Sequence, residues 1–300
     1  MNNLRDQLSE HLERNRISQE AAAAGMGISG SALSAWRKEK YNGDNARIDA
    51  LVVEYLGRQI ATAVEVGTFK RDFDFVETTV YDLIRSGVDL AEARGEIRPV
   101  LGISGIGKTT ALKQIRDEKQ TAIFVQVYKG IRKNRFLSKV CKAAGISDKG
   151  TFDDLFESLA DQLSGTGRLI IIDEAEHLPI DALDAVRRIN DFTGCGIVLV
   201  GLPVFYELLR RYPYIYNRTA MPIRLDRLKK QDVSKMIDTM CPNEVPAEVW
   251  HQACAGVGRD LKMIALESMR VASLNGVEMT DTGAMIRIIN QVTKELGRAV

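Results

Sequence analysis

The chain has 300 residues, of which 45% are hydrophobic and 27% are charged, and its formal net charge is +1. This length allows two or three compact units, and the near-neutral charge means that a surface for nucleic acid has to be a local cluster of basic residues. No apolar run approaches the roughly 20 residues of a membrane span, and the charged amino terminus is unlike a secretory signal. The four cysteines form no C-x-x-C pair, which argues against a zinc site and indicates a reduced, cytoplasmic setting without a membrane partner.

Residues 1–60 are predicted to form short helices. Leucines at 4, 8 and 12 would share one helix face, Ser18 is placed to cap the next helix, and a further helix is predicted from Ser31 to Lys40. The stretch "ISQEAAAAGMGISGSALSAWRKEKYNGDN" resembles a helix-turn-helix. Its two helices would be locked together by apolar side chains at Ile17, Ala21, Ala24, Ile28, Leu33 and Trp36.

The second helix of this pair carries the first set of candidate DNA-binding residues. Its outer face would present small hydroxyls and basic side chains, which suit a helix in the major groove. These residues are Ser31, Ser34, Arg37 and Lys38. The alternative is a helical protein-docking module, since residues 1–70 hold nine basic and nine acidic side chains.

From residue 73 the pattern changes to helices that alternate with short apolar runs. Five runs are predicted as strands: Ile97–Leu101, Thr121–Val127, Leu169–Ile172, Ile197–Val200 and Met221–Leu225. Buried strands joined by helices form a parallel sheet, so we expect an α/β core over residues 73–226, after a linker over residues 61–72. The strands then stop, and residues 227–300 are predicted to form a small helical domain from Lys229–Met240, Ala247–Ala255, Arg259–Asn275 and Asp281–Lys294.

The segment "GISGIGKT" matches the pattern G-x-x-x-x-G-K-[ST] and lies between a predicted strand and a predicted helix. In this context the backbone N–H groups close around nucleotide phosphates, the lysine reaches the β and γ phosphates, and the threonine hydroxyl binds Mg²⁺. We therefore predict a site for ATP and Mg²⁺. The candidate nucleotide-binding residues are Gly102, Ser104, Gly105, Ile106, Gly107, Lys108, Thr109 and Thr110.

The run "RLIIIDEAEHL" supplies the acidic partners of that loop. Asp173 follows four apolar residues and would lie at the carboxyl end of a buried strand, beside the phosphate loop. There it would hold Mg²⁺ together with Thr109, and the adjacent Glu174 would polarise the attacking water. Paired with the phosphate loop, this segment predicts ATP hydrolysis, with Lys108, Asp173 and Glu174 as catalytic residues.

At this point residues 70–300 resemble the AAA+ ATPases, a P-loop NTPase class with a parallel sheet and a trailing helical lid. The resemblance implies a polar residue at the end of the fourth strand, where this chain has Leu202, so slow turnover is expected. It also implies an arginine finger that acts on the neighbouring subunit's nucleotide, for which Arg218 is the candidate among several nearby arginines. In the lid, "GVGRDLKMIA" resembles the segment that returns a basic residue to the nucleotide, with Lys262 preferred over Arg259.

A basic cluster follows the second predicted strand, in "YKGIRKNRFLSKVCK". Such a run is typical of a solvated helix face. Here it would leave the sheet at the same edge as the nucleotide site, which favours binding to DNA phosphates. The candidate residues are Lys129, Arg132, Lys133 and Arg135.

The combination of an amino-terminal helix-turn-helix, an AAA+ core with "DEAEHL" and a short helical lid is similar to the B transposition proteins of Mu-like transposable phages. The resemblance implies an ATP-dependent, largely nonspecific protein of the bacterial host cytoplasm that binds double-stranded DNA. It also implies self-assembly into a filament on DNA, delivery of that DNA to a transposase, and stimulation of strand transfer. The alternatives are a helicase loader or replication initiator, and an ATP-gated helix-turn-helix transcription regulator.

Overall fold

A computed structural model describes residues 4–5, 8–9, 12, 18–38, 40–53, 55 and 73–297. By its contacts the chain divides into two compact units, residues 1–72 and residues 73–300. The predicted linker over residues 61–72 and the apolar position Ile17 lie outside the described residues. The four-part division into domains stays a prediction.

The described part of the first unit is mainly helical. Helix α1 spans Gln19–Gly25 and helix α2 spans Gly30–Arg37, and residues 45–53 are also helical. Each of the two helices is capped by a serine, Ser18 on the amide of Ala21 and Ser29 on the amide of Ala32. These caps satisfy N–H groups that a helix leaves unpaired at its start.

A small apolar core holds these helices together. It includes the side chains of Leu8, Leu12, Leu33, Trp36 and Val52, all of them buried. The expected alanine positions in α1 were wrong, because Ala22 and Ala23 are buried while Ala21 and Ala24 are exposed. In a run of four alanines the sequence offers no contrast from which to tell the inner face from the outer.

The second unit is built around a five-stranded parallel sheet in the order β2-β3-β4-β1-β5. The strands are β1 Ile97–Leu101, β2 Ile123–Gln126, β3 Ile170–Asp173, β4 Ile197–Gly201 and β5 Ile223–Arg224. Every residue of β1, β3 and β4 is buried, as expected for a parallel sheet covered on both faces. The fifth strand is shorter than predicted, and Met221 is 84% exposed ahead of it.

Helices cover both faces of this sheet. They are α3 Thr79–Arg94, α4 Lys108–Glu118, α5 Lys133–Ala144, α6 Phe152–Leu163, α7 Ile180–Thr193, α8 Pro203–Arg210 and α9 Pro213–Tyr216. Alternate strand residues point to opposite faces. Ile171 and Val198 pack in the core with α3 and α4, whereas Ile172 and Leu199 pack in the core with α5 to α8.

The chain ends in four helices that form the lid: α10 Lys230–Met240, α11 Ala247–Cys254, α12 Gly258–Leu274 and α13 Thr282–Glu295. Their apolar faces continue the core that contains α3 and α4. Asp232, which is 1% exposed, ties the lid to α3 because its carboxylate accepts hydrogen bonds from Thr79 N at 2.8 Å, Thr79 Oγ1 at 2.7 Å and Lys229 N at 2.9 Å. Within the described part of the chain, no helix is both long enough and apolar enough to cross a membrane.

Candidate functional site

The phosphate loop lies between β1 and α4, at the carboxyl edge of the sheet. Gly107 is the residue before α4 and has a φ of 99°, a left-handed conformation that favours glycine. No side chain caps α4, and no acidic residue lies in its first turn. The N–H groups at this helix start therefore suit an anion, and Thr110 is exposed beside them.

Lys108 is folded back onto its own loop. Its ammonium donates hydrogen bonds to the carbonyl oxygens of Gly102 at 2.7 Å and Ile103 at 2.8 Å. Burial lowers the pKa of Lys108, and the nearby carboxylates of Glu176 and Asp173 oppose that shift. To reach a phosphate, the ammonium has to exchange these two carbonyls for phosphate oxygens.

The structure brings Thr109 and Asp173 together, as the metal-site prediction requires. Thr109 Oγ1 donates to Asp173 Oδ2 at 2.7 Å, and Asp173 Oδ1 accepts from the Glu174 amide at 2.9 Å. Asp173 is 1% exposed, and burial raises the pKa of its carboxyl. A hydroxyl and a carboxylate are hard oxygen ligands of the kind that Mg²⁺ prefers, so these two residues fit the ion.

Glu174 follows β3 in a left-handed conformation, with a φ of 57°. Its carboxylate accepts a hydrogen bond at 3.2 Å from the side chain of Gln126, the last residue of β2 and the register partner of Asp173. The sequence interpretation missed Gln126. The available signal was a polar residue that ends the otherwise apolar β2, at the edge where the acidic residues of β3 were expected.

Of the two basic residues proposed in the lid, the structure brings Arg259 to the phosphate loop. The Arg259 amide donates to the Gly105 carbonyl at 2.9 Å, and its guanidinium lies 3.4 Å from Ser104 Oγ. The Lys262 ammonium instead lies over the ring of Phe73, 5.3 Å from its centre. The structure thus favours Arg259 over the preferred Lys262, because Arg259 is in the first turn of α12, against the loop, and Lys262 is one turn further along. Which of the two contacts the nucleotide stays a prediction.

Two further residues, Arg218 and Leu202, were singled out by the resemblance to AAA+ proteins. Arg218 is exposed and makes a loose ion pair with Asp191, 3.7 Å away. Its role as a finger for a neighbouring subunit stays a prediction. Leu202 directly follows β4, and its amide donates to the carboxylate of Glu176 at 3.2 Å.

The basic cluster begins three residues beyond β2, whose last residue is in register with Asp173. Lys129, Arg132 and Arg135 are exposed. Lys133 is less available than its three neighbours, because its ammonium lies 4.2 Å from the centre of the Phe152 ring. Helix α5 starts with basic residues, no acidic residue in its first turn and no side-chain cap, which suits a phosphate ligand.

The candidate DNA-binding residues of α2 differ in their availability. Ser31 and Lys38 are exposed, and Ser34 is half-buried. Arg37 donates to Gln19 Oε1 and to Ser9 Oγ, both at 2.9 Å. The guanidinium of Arg37 therefore links helices within the first unit, and its assignment to a DNA-facing surface is not supported.

Comparison with known proteins agrees with this geometry. Residues 96–209 match the family model described as an AAA domain. The chain is 28% identical over 298 residues to the Mu-like prophage FluMu DNA transposition protein B of Haemophilus influenzae, covering 95% of this chain and 93% of that protein. It is 27% identical over 249 residues to the ATP-dependent target DNA activator B of Escherichia phage Mu, covering 79% of this chain and 78% of that protein.

A solved structure supports the fold. The crystal structure of Cdc6p from Pyrobaculum aerophilum superimposes with a TM-score of 0.52 at 15% identity, covering 71% of this chain and 67% of that one. The predicted fold class is confirmed by this neighbour, by the AAA domain match and by the parallel sheet.

Proposed function

Because the chain is an AAA-domain ATPase and a relative of the B transposition proteins of Mu-like phages, we propose that it is an ATP-dependent DNA-binding protein that delivers target DNA to a transposase. The observation that carries the proposal is the similarity to the FluMu protein B over 95% of the chain, which extends well beyond the AAA domain. The phosphate loop and the Thr109–Asp173 contact supply the matching chemistry.

The nucleotide step uses the residues at the carboxyl edge of the sheet. The amides at the start of α4 would bind the phosphates, and Lys108 would move from its own loop to the β and γ phosphates. Thr109 and Asp173 would hold Mg²⁺, which when bound neutralises part of the phosphate charge. Glu174, oriented by Gln126, would position and polarise the attacking water.

The DNA step uses the exposed basic cluster after β2. Lys129, Arg132 and Arg135 lie on the same edge as the nucleotide site, so nucleotide state and DNA contact would be coupled through the residues after β2 and β3. ATP would assemble subunits head to tail on duplex DNA of any sequence, with Arg218 reaching the neighbour's nucleotide. A head-to-tail contact that does not close forms a filament. Hydrolysis, slowed by the apolar Leu202, would release the subunits.

Two other functions share this nucleotide chemistry. A helicase loader or replication initiator would act on DNA only with a helicase, and a transcription regulator would use α2 to protect one operator. A footprint separates the three, because a filament protects any duplex, a regulator protects one site, and a loader gives no such protection alone.

The decisive experiment combines electron microscopy with a strand-transfer assay. With ATP, the protein should form regular filaments on random-sequence duplex DNA, and with ADP these should be lost. Target DNA coated in this way should be joined by the cognate transposase faster than bare DNA. Protection of a single sequence would refute the proposal, and so would a rate of strand transfer that is the same with and without the protein.

The DNA surface has its own matched test. Arg132→Ala with Arg135→Ala removes two exposed cations from the basic cluster, and Arg287→Ala with Lys294→Ala removes two exposed cations from α13 of the lid. Each lost phosphate contact should flatten the plot of log affinity against log salt by about 0.9. The first pair should lose about two units of slope on every DNA sequence, and the lid pair should lose none. An unchanged slope for the first pair would remove the cluster from the DNA interface.

A further inference from the structure

The turn that follows β2 carries an exposed aromatic ring. Tyr128 is 47% exposed, whereas the residues on either side of the turn, Val127 and Ile131, are buried in the core. The Ile131 amide donates to the Tyr128 carbonyl at 3.1 Å, and Gly130, with a φ of 87°, lets the chain reverse between them. The ring is therefore presented to solvent from a backbone that is anchored at both ends.

The orientation of this ring is fixed by Lys139 of α5. The Lys139 ammonium lies 5.0 Å from the centre of the Tyr128 ring and donates to the Gln126 carbonyl at 3.0 Å. A cation over the face of an aromatic ring is attracted by the negative charge of that face. Lys139 thus holds the Tyr128 ring in place, and the part of the ring that it leaves exposed is available to a ligand.

The charges around Tyr128 are all positive. Between Glu118 and Asp148 the sequence holds no acidic residue. Within the described part of the chain, none of the three exposed cations nearby makes an ion pair. These cations are Lys129, Arg132 and Arg135. A surface of unneutralised cations around one aromatic ring suits a polyanion that also has an apolar part.

We propose that Tyr128 makes a non-ionic contact with duplex DNA, in which its ring packs against a deoxyribose between phosphates bound by the neighbouring cations. The inference rests on the proposed function, since it takes the basic cluster as the DNA surface. Sugars, like phosphates, recur at every nucleotide and carry no sequence information, so the contact adds affinity on any duplex. A protein partner would need a larger apolar patch, and the turn residues next to the ring, Lys129 and Gly130, do not supply one.

Salt titrations separate this contact from the ionic ones. Affinity for a fluorescent random-sequence duplex is measured over a range of salt concentrations, with ATP held saturating. Loss of a phosphate contact, as in Arg135→Ala, should flatten the plot of log affinity against log salt by about 0.9. Loss of a sugar contact releases no counterions, so Tyr128→Ala should keep the slope and shift the whole line to about three- to tenfold weaker binding.

Two further variants serve as controls. Tyr128→Phe keeps the ring and should bind within about twofold of the wild type, because the face of the ring makes the contact. Leu274→Ala shortens an apolar side chain that is 62% exposed at the end of α12 in the lid, and it should leave the line unchanged. Thermal melts establish that each variant is folded.

Three results would overturn the proposal. The first is wild-type affinity in Tyr128→Ala, and the second is a flatter slope, since the ring would then act only by placing Lys139 for a phosphate. The third is DNA affinity that is kept while stimulation of the transposase is lost, which would mean that the ring contacts a protein.

Failure of the proposed function gives different results. A wild type without ATP-dependent binding to duplex DNA would refute the proposed function and this inference together. A wild type that binds DNA but does not stimulate the transposase would contradict delivery alone, and the comparison of Tyr128→Ala with the wild type would still decide the role of the ring.

Discussion

Asp232 is predicted to be the principal polar attachment of the lid. Its carboxylate is 1% exposed and accepts three hydrogen bonds, two from Thr79 and one from the Lys229 amide. A hydrogen bond to a charged group contributes about 1.5–3 kcal/mol. Replacing Asp232 by alanine also removes the free-energy cost of burying a charged carboxylate, which offsets part of the combined contribution of the three hydrogen bonds. We therefore expect Asp232→Ala to lower the free energy of unfolding by about 3–5 kcal/mol.

The matched control is Asp281→Ala. Asp281 is also an aspartate at the start of a lid helix, but it is exposed and accepts a single hydrogen bond, from the Ala284 amide at 2.9 Å. Loss of an exposed cap of this kind costs about 1 kcal/mol. The difference between the two variants isolates what burial and the two extra hydrogen bonds add.

Urea titration followed by tryptophan fluorescence can measure both. The chain has two tryptophans, and each is buried in a different unit: Trp36 in the first, Trp250 in α11 of the lid. In a Trp36→Phe background the signal reports the second unit alone. If Asp232→Ala costs no more than Asp281→Ala, the carboxylate is not the attachment of the lid that its geometry indicates.

Three further outcomes are expected around the nucleotide. Burial raises the pKa of Asp173, so without Mg²⁺ its contribution to the free energy of unfolding is present below pH of about 4 and is lost as pH rises through the raised pKa. In urea titrations over that interval, Asp173→Asn should therefore become more stable relative to the wild type as pH rises. A difference between the two proteins that does not change with pH would contradict this. Arg259→Ala should weaken ATP binding about tenfold or more, as for the loss of a charged contact, while Lys262→Ala should change it little. If calorimetric titrations give the opposite order, Lys262 is the lid residue that contacts the nucleotide. Gln126→Ala should lower kcat about two- to tenfold, because Glu174 would be less well oriented, and should leave ATP affinity unchanged. A wild-type kcat in a steady-state assay would mean that the 3.2 Å contact between Gln126 and Glu174 has no part in hydrolysis.

The phosphate loop and the acidic end of β3 could be predicted from the sequence because their chemistry is local. The spacing from Gly102 to Thr109 specifies a loop by itself, and four apolar residues before Asp173 specify a buried strand. The parallel sheet followed in the same way, since short apolar runs between helices leave few other arrangements. Only the ends of strands shifted, as at β5, where two residues pair instead of five.

Residues whose roles depend on packing between distant segments could not be predicted in this way. Arg259 and Lys262 are three positions apart on one helix, and only the approach of α12 to Gly105 distinguishes them. Arg37 has the composition of a DNA contact, yet Gln19 and Ser9 occupy its guanidinium. Helix periodicity places a residue on a face but does not say which neighbour that face meets.

The folded-back position of Lys108 has a consequence for ligand choice. Its ammonium already has two good acceptors, the carbonyls of Gly102 and Ile103, so an incoming ligand has to replace both of them. A phosphate chain can return two acceptors to the ammonium from neighbouring groups, which keeps the number of its hydrogen bonds unchanged. We therefore expect nucleoside di- and triphosphates to bind more tightly than a nucleoside monophosphate, because only a chain of phosphates reaches the ammonium from two groups at once.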